Sequence, residues 1–167
     1  MWSPNKKTCL ALAALLASAL IASAEVKVGQ PFPVLGSFGL EGQLPEGAGR
    51  VVLLDFWASW CAPCKASFPS YSVLQQELGA RGLTIIAVSV DKQKGPYDEF
   101  LKKFAPAFAT LRDGSQRLAA EAQVPGMPTC YLIDRHGVLR VVHSGFHGES
   151  SVRELREQII KLIEEKS

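Results

Sequence analysis

Val51 to Trp57 reads VVLLDFW, an apolar run interrupted by a single aspartate. Without polar alternation, such a run fits a strand buried on both faces. Leu83 to Val90, LTIIAVSV, has the same character and predicts a second buried strand. Between the two the apolar positions take helical spacing, since Phe68, Tyr71, Leu74 and Leu78 share one side of a helix running from Ala62 to about Leu78. Pro69 is expected to kink it. Further helices are expected from about Tyr97 to Phe104 and around Gln116 to Ala122. Thr129 to Ile133 and Val138 to Val142 flank the turn sequence DRHG and predict an antiparallel hairpin. Val152, Leu155, Ile159, Leu162 and Ile163 form the apolar stripe of a final helix beginning near Ser150 or Ser151. The Gly- and Pro-rich segment 25–50 reads as an irregular arm with at most one short hairpin. Alternating strands and helices make this an α/β chain with a central mixed β-sheet flanked by helices.

The N-terminus departs from this pattern. Lys6 and Lys7 precede an apolar stretch from Leu10 to Ile21, which ends at the small residues Ala22-Ser23-Ala24. That order predicts a signal peptide over 1–24, removed after Ala24, and hence export to the periplasm or an equivalent compartment. An anchored form is the alternative, although the stretch is shorter than the roughly 20 apolar residues that span a bilayer. Cys9 would be discarded with the signal. The remaining chain, 47% hydrophobic and 20% charged over the whole sequence, suffices for one domain with a real core. A net charge of +2 arises from interspersed charges, so nucleic acid is not an expected partner. A monomer is expected.

Export changes how the cysteines are read, because disulfides persist outside the cytoplasm. Cys61, Cys64 and Cys130 remain, and FWASWCAPCK makes Cys61 and Cys64 the natural pair. Cys61 sits where a strand gives way to a helix, and the unpaired N–H groups and dipole of a helix start favour an anion. A thiol there has its pKa lowered, which suits Cys61 as nucleophile. Cys64, one turn further in, is placed to attack a mixed disulfide at Cys61 and so to act as the resolving thiol. Two other readings stay open at this point. Zinc would need four ligands, with His143 and His147 as the candidate additions, and a static disulfide would close too short a loop to stabilise the fold much.

DFWASWCAPCK, followed by Pro69 and later by VPGMPT, resembles the thioredoxin family over most of the mature chain. The export signal, the Gly/Pro-rich arm, VSVDK at Val88 to Lys92 and the long segment before Val124 resemble its exported branch, the TlpA/ResA-like thiol-disulfide oxidoreductases. The resemblance implies a thioredoxin-like fold over 51–167 and a redox-active disulfide between an exposed nucleophile, Cys61, and a resolving Cys64, with Trp57 and Trp60 packed around them. It implies a cis bond before Pro128, which would place the Met127 backbone beside Cys61, and substrate contacts from Trp60, Pro63, Gly126, Met127 and Pro128. Asp55 matches the family's buried acid, whose pKa desolvation should raise, and would accept the proton of Cys64.

Two positions depart from the family pattern. Ala87 stands where thioredoxin would place a lysine, and Ser67 where many exported relatives carry a glutamate, which leaves more of the proton handling to Asp55. Ala62-Pro63 offers the thiolate neither charge nor hydrogen bond, so the direction implied is reduction rather than oxidation. Lys65, the nearest cation, reads as solvated helix surface, and Cys130, alternating with Leu132, as a buried and inert thiol. The resemblance further implies no organic cofactor, a membrane-borne thiol reductase as electron donor, and protein disulfide substrates such as the Cys-X-X-Cys segment of apocytochrome c. The rival function is a copper-binding assembly factor of the same fold with Cys61 and Cys64 as soft ligands, against which the CAPC spacing argues.

Overall fold

The computed structural model describes residues 26–165. The signal peptide expected over 1–24, with its cleavage site and Cys9, lies outside the described residues. Nine elements follow in the order β1 (Val51–Trp57), α1 (Ala62–Leu78), β2 (Leu83–Ser89), α2 (Lys94–Phe104), β3 (Ala109–Arg112), α3 (Arg117–Glu121), β4 (Thr129–Ile133), β5 (Leu139–Ser144) and α4 (Glu149–Glu164), preceded by a 3-10 turn at Leu35–Phe38. The strands form one sheet in the order β3-β2-β1-β4-β5. β1, β2 and β3 run parallel, while β4 is antiparallel to both β1 and β5, so the sheet is mixed.

Every residue of β1 and β2 is buried, as their unbroken apolar sequences require. Alternate positions feed two cores. Val51 and Leu53 join Leu83, Ile85, Cys130 and Leu132 under Tyr71, Leu74 and Leu78 of α1 and Leu155, Ile159 and Leu162 of α4. Val52, Leu54 and Phe56 join Ile86, Val88, Tyr131 and Ile133 in the other, which Phe32, Leu118 and Leu139 help to close. At the end of β1 the aromatic rings of Trp57, Phe68 and Phe100 stack edge to face or tilted, with centroids 4.3 to 4.8 Å apart, and fasten α2 to α1. This cluster underlies the site.

Several expected boundaries move. α2 starts one turn before Tyr97, at Lys94, because Pro96 falls in its first turn, where a missing N–H costs nothing. The helix of residues 62–78 continues through Pro69. β5 extends to Ser144, with a register shift at Leu132/Ile133. β3 was not expected from the pattern. Among its described residues the arm forms no hairpin of its own; Pro31 bridges to Val138 and Glu41 to Arg112, so it is tied to the sheet's two ends by pairing with distant residues.

Candidate active site

β1 delivers the chain to a turn closed by the Cys61 N–H, which donates to the Ala58 carbonyl at 3.0 Å. Cys61 then caps α1, and its sulfur accepts the Cys64 N–H at 3.2 Å. Pro63 occupies the first helical turn, where its ring supplies the right backbone angle without wasting a donor. Cys61 and Cys64 are joined by a disulfide with Cα atoms 5.3 Å apart. Both cysteines are buried in the disulfide, Cys61 being 4% and Cys64 0% exposed, so the exposed nucleophile that the resemblance implied is not exposed in this oxidised form, where the S–S bond turns it towards Cys64. Trp60, beside them, is 68% exposed, whereas Trp57 is buried in the aromatic cluster. The resemblance put both tryptophans around the disulfide; only Trp60 faces solvent. Ala62, Pro63 and Lys65 are exposed.

Asp55, two residues before Trp57 in β1, is fully buried between Ala87 of β2 and Cys130 of β4. Among the described residues neither of its carboxylate oxygens has a hydrogen-bond partner. Desolvation pushes the carboxyl well above the usual carboxylate range, and only the nearby Tyr71 hydroxyl pulls the other way. Tyr71 is raised in turn, first by burial and then by the charge of Asp55. Cys130, free and buried, is pushed up by burial and by Asp55. Ser67, also buried, donates its hydroxyl to the Cys64 carbonyl at 3.0 Å. A titratable trio of Asp55, Tyr71 and Cys130 thus sits inside the sheet–α1 interface.

The Met127–Pro128 bond is cis. The Pro128 carbonyl accepts the Gly145 N–H at 2.8 Å, and the Gly126 carbonyl accepts the Thr129 hydroxyl at 2.8 Å. Met127 packs against the core cluster that includes Cys61 and Cys64, and among the described residues its own N–H and C=O make no backbone hydrogen bond. Of the two histidines weighed as zinc ligands, the His143 ring bonds Gln158 at 2.6 Å, and the His147 backbone N–H donates to the Ser151 hydroxyl. Among the described residues no three His, Cys, Asp or Glu side chains converge as metal ligands.

Sequence reasoning read Tyr71 as core alone. Its signal was available, since Cys64, Ser67, Phe68 and Tyr71 follow one another at helical spacing and therefore share one side of α1, where Tyr71 reaches Asp55. Asp91 was noted only as part of VSVDK. Its carboxylate reaches back to Ser59, at the head of the active-site turn.

A family described as thioredoxin-like matches residues 49–139. The chain is 33% identical over 103 residues to the thiol-disulfide oxidoreductase ResA of Oceanobacillus iheyensis, a match covering 62% of this chain and 54% of that protein. It is 29% identical over 137 residues to the ResA of Geobacillus thermodenitrificans, covering 80% of this chain and 79% of that one. Among solved structures, a candidate thiol:disulfide interchange protein DsbE from Chlorobium tepidum superposes with a TM-score of 0.77 at 34% identity, over 83% of this chain and 99% of that one. A disulfide at a helix start, on the same fold as these proteins, leads to one assignment: the chain belongs to the thioredoxin-like family, among the thiol-disulfide oxidoreductases of ResA/DsbE type.

Proposed function

We propose that the protein is exported and reduces disulfides in protein substrates, with Cys61 attacking and Cys64 resolving. The observation that carries this reading is the Cys61 sulfur at the N-terminus of α1, in reach of the Cys64 N–H and next to exposed Trp60. In the reduced protein, the Cys61 thiolate attacks one sulfur of the substrate disulfide; a mixed disulfide forms and the other substrate sulfur leaves as a thiolate. Cys64 then gives up its proton and attacks the Cys61 sulfur, which releases the second substrate sulfur and leaves the Cys61–Cys64 disulfide. Two electrons pass to the substrate. A membrane-borne thiol reductase restores the dithiol.

Asp55 is the acceptor for the Cys64 proton in this reading. A carboxyl raised by burial and lacking a partner has an affinity for protons suited to that step. Gly126, Met127 and Pro128 form the docking edge, supported by the open N–H and C=O of Met127, which can pair with an extended substrate chain. Trp60 and Pro63, next to the cysteines in sequence, offer exposed apolar surface. Export rests on the sequence of residues 1–24, and the substrate class, Cys-X-X-Cys segments including that of apocytochrome c, on the family resemblance.

Equilibration with glutathione, followed by reduction of a disulfide-bonded Cys-X-X-Cys-His peptide, tests the direction. A reductase should have a potential near that of thioredoxin, about −270 mV, and reduce the peptide in many turnovers when a dithiol is supplied. A potential near about −120 mV would make the protein an oxidant.

A further inference from the structure

The turn that brings Cys61 to the head of α1 is tied to a residue 32 positions away from its corner. Asp91, just after β2, holds Ser59 twice: Oδ2 accepts the Ser59 N–H at 2.9 Å and Oδ1 accepts the Ser59 hydroxyl at 2.9 Å. Oδ2 also accepts the Ser89 hydroxyl at 2.7 Å, and that hydroxyl oxygen accepts the Asp91 N–H at 3.0 Å. Asp91 is buried, and both of its oxygens are occupied.

Asp91 is itself firmly mounted. The Val90 N–H donates to the Trp57 carbonyl at 2.9 Å, and the Val90 carbonyl accepts the Gln116 amide at 3.0 Å. Arg112 donates to the Asp91 and Lys92 carbonyls at 3.1 and 2.8 Å, and pairs with Glu41 of the arm. Ser59 therefore hangs from a rigid bracket built from β2, β3 and the arm, while the turn it belongs to ends at Cys61.

We propose that Asp91 is a positioning residue for Cys61. By fixing Ser59 it sets the course of Trp60 and Cys61, so that the sulfur stays against the Cys64 N–H and the first turn of α1. This rests on the reading of Cys61 as the attacking thiol. Stabilisation of a thiolate by a helix start fades within one turn, so a loosened Ser59 lets the sulfur drift out of it. The Asp91 charge works in the opposite sense, since a carboxylate near a thiolate disfavours it. Removing Asp91 should thus raise the apparent pKa of Cys61 if position governs, and lower it if charge governs.

The test is the pH dependence of Cys61 alkylation by iodoacetamide in the reduced protein, followed on the Cys61 peptide by mass spectrometry. Parent, Ser59→Ala, Asp91→Asn and Asp91→Ala are compared, each checked for folding by circular dichroism. Ser59→Ala loses one of the two bonds and should react about threefold more slowly near neutral pH. Asp91→Ala should react about tenfold more slowly, its profile displaced upward by about one pH unit. Asp91→Asn, whose amide oxygen still accepts the Ser59 N–H, should fall between them. Unchanged profiles in folded Ser59→Ala and Asp91→Asn would overturn the inference and make Asp91 a purely structural acid, as would profiles moving to lower pH. Those two variants decide the matter should Asp91→Ala fail to fold. Preferential alkylation of Cys64 in the parent would overturn the nucleophile assignment itself, and this inference with it.

Discussion

Asp55→Asn replaces a buried acid with a neutral side chain of nearly the same shape, and its consequence depends on pH. Both Asp55 oxygens lack partners among the described residues, and desolvation holds the carboxyl well above its ordinary range. Once the pH passes the unfolded value near about 4, the unfolded chain releases this proton while the folded chain keeps it. The unfolded state alone gains, so the parent loses stability as pH rises, until the pH passes the raised native value. One proton corresponds to about 1.4 kcal/mol per pH unit across that window. Asparagine does not titrate, so the variant's advantage should grow from about pH 5 upward with this slope. In acid, where both side chains are neutral, the two proteins should differ by no more than about 1 kcal/mol. Denaturant unfolding of the oxidised proteins at stepped pH up to about 8 reads the difference directly, because Tyr71 and Cys130, the groups coupled to Asp55, both stay protonated in the native state over that range. Release of a Cys61-linked mixed disulfide should also slow by about a hundredfold, a usual share for acid–base assistance, while first attack is kept. A stability difference flat with pH would refute the burial argument, and release at the parental rate would refute the proton-acceptor role.

Other outcomes follow from the same structure. Cys130, raised by burial and by Asp55, should resist alkylation in the native protein at about pH 8 and react on unfolding, as peptide mapping would show. Burial raises the Asp134 carboxyl, but the Val138 N–H, Arg140 and the His136 N–H outweigh it and hold the group below its usual range. Its contribution is therefore present above about pH 4 and lost in acid, so Asp134→Asn should cost about 1 kcal/mol at neutral pH and less at low pH in the same unfolding series. Phe68→Ala should cost about 3 to 5 kcal/mol, because that ring packs on Trp57, Phe100 and Phe108 with centroids 4.8, 4.8 and 5.2 Å away; thermal and denaturant unfolding measure it.

Local chemistry made much of this molecule legible. β1 and α1 have the bounds read from sequence, since an unbroken apolar run and a helical stripe each carry their own signal. β3 does not: Ala109–Arg112 is a four-residue edge strand, and what makes it a strand is its pairing with Ile86–Ser89. The arm is likewise defined by distant partners, Val138 and Arg112, rather than by a turn of its own. At the site the same division holds. Two cysteines three residues apart announce themselves, as does an aspartate alone in an apolar strand. Tyr71 looks like any core residue until the fold sets it beside Asp55, and the Ser59–Asp91 contact joins two loops that sequence spacing does not relate.

The central claim is the order of attack, Cys61 first and Cys64 second. Reduced Cys61→Ser and Cys64→Ser proteins, each incubated with a disulfide-bonded Cys-X-X-Cys-His peptide and resolved by non-reducing mass spectrometry, test it most directly. Cys64→Ser should accumulate a stable mixed disulfide through Cys61, and Cys61→Ser should form none. Equal trapping by both variants, or trapping by Cys61→Ser alone, would contradict the account.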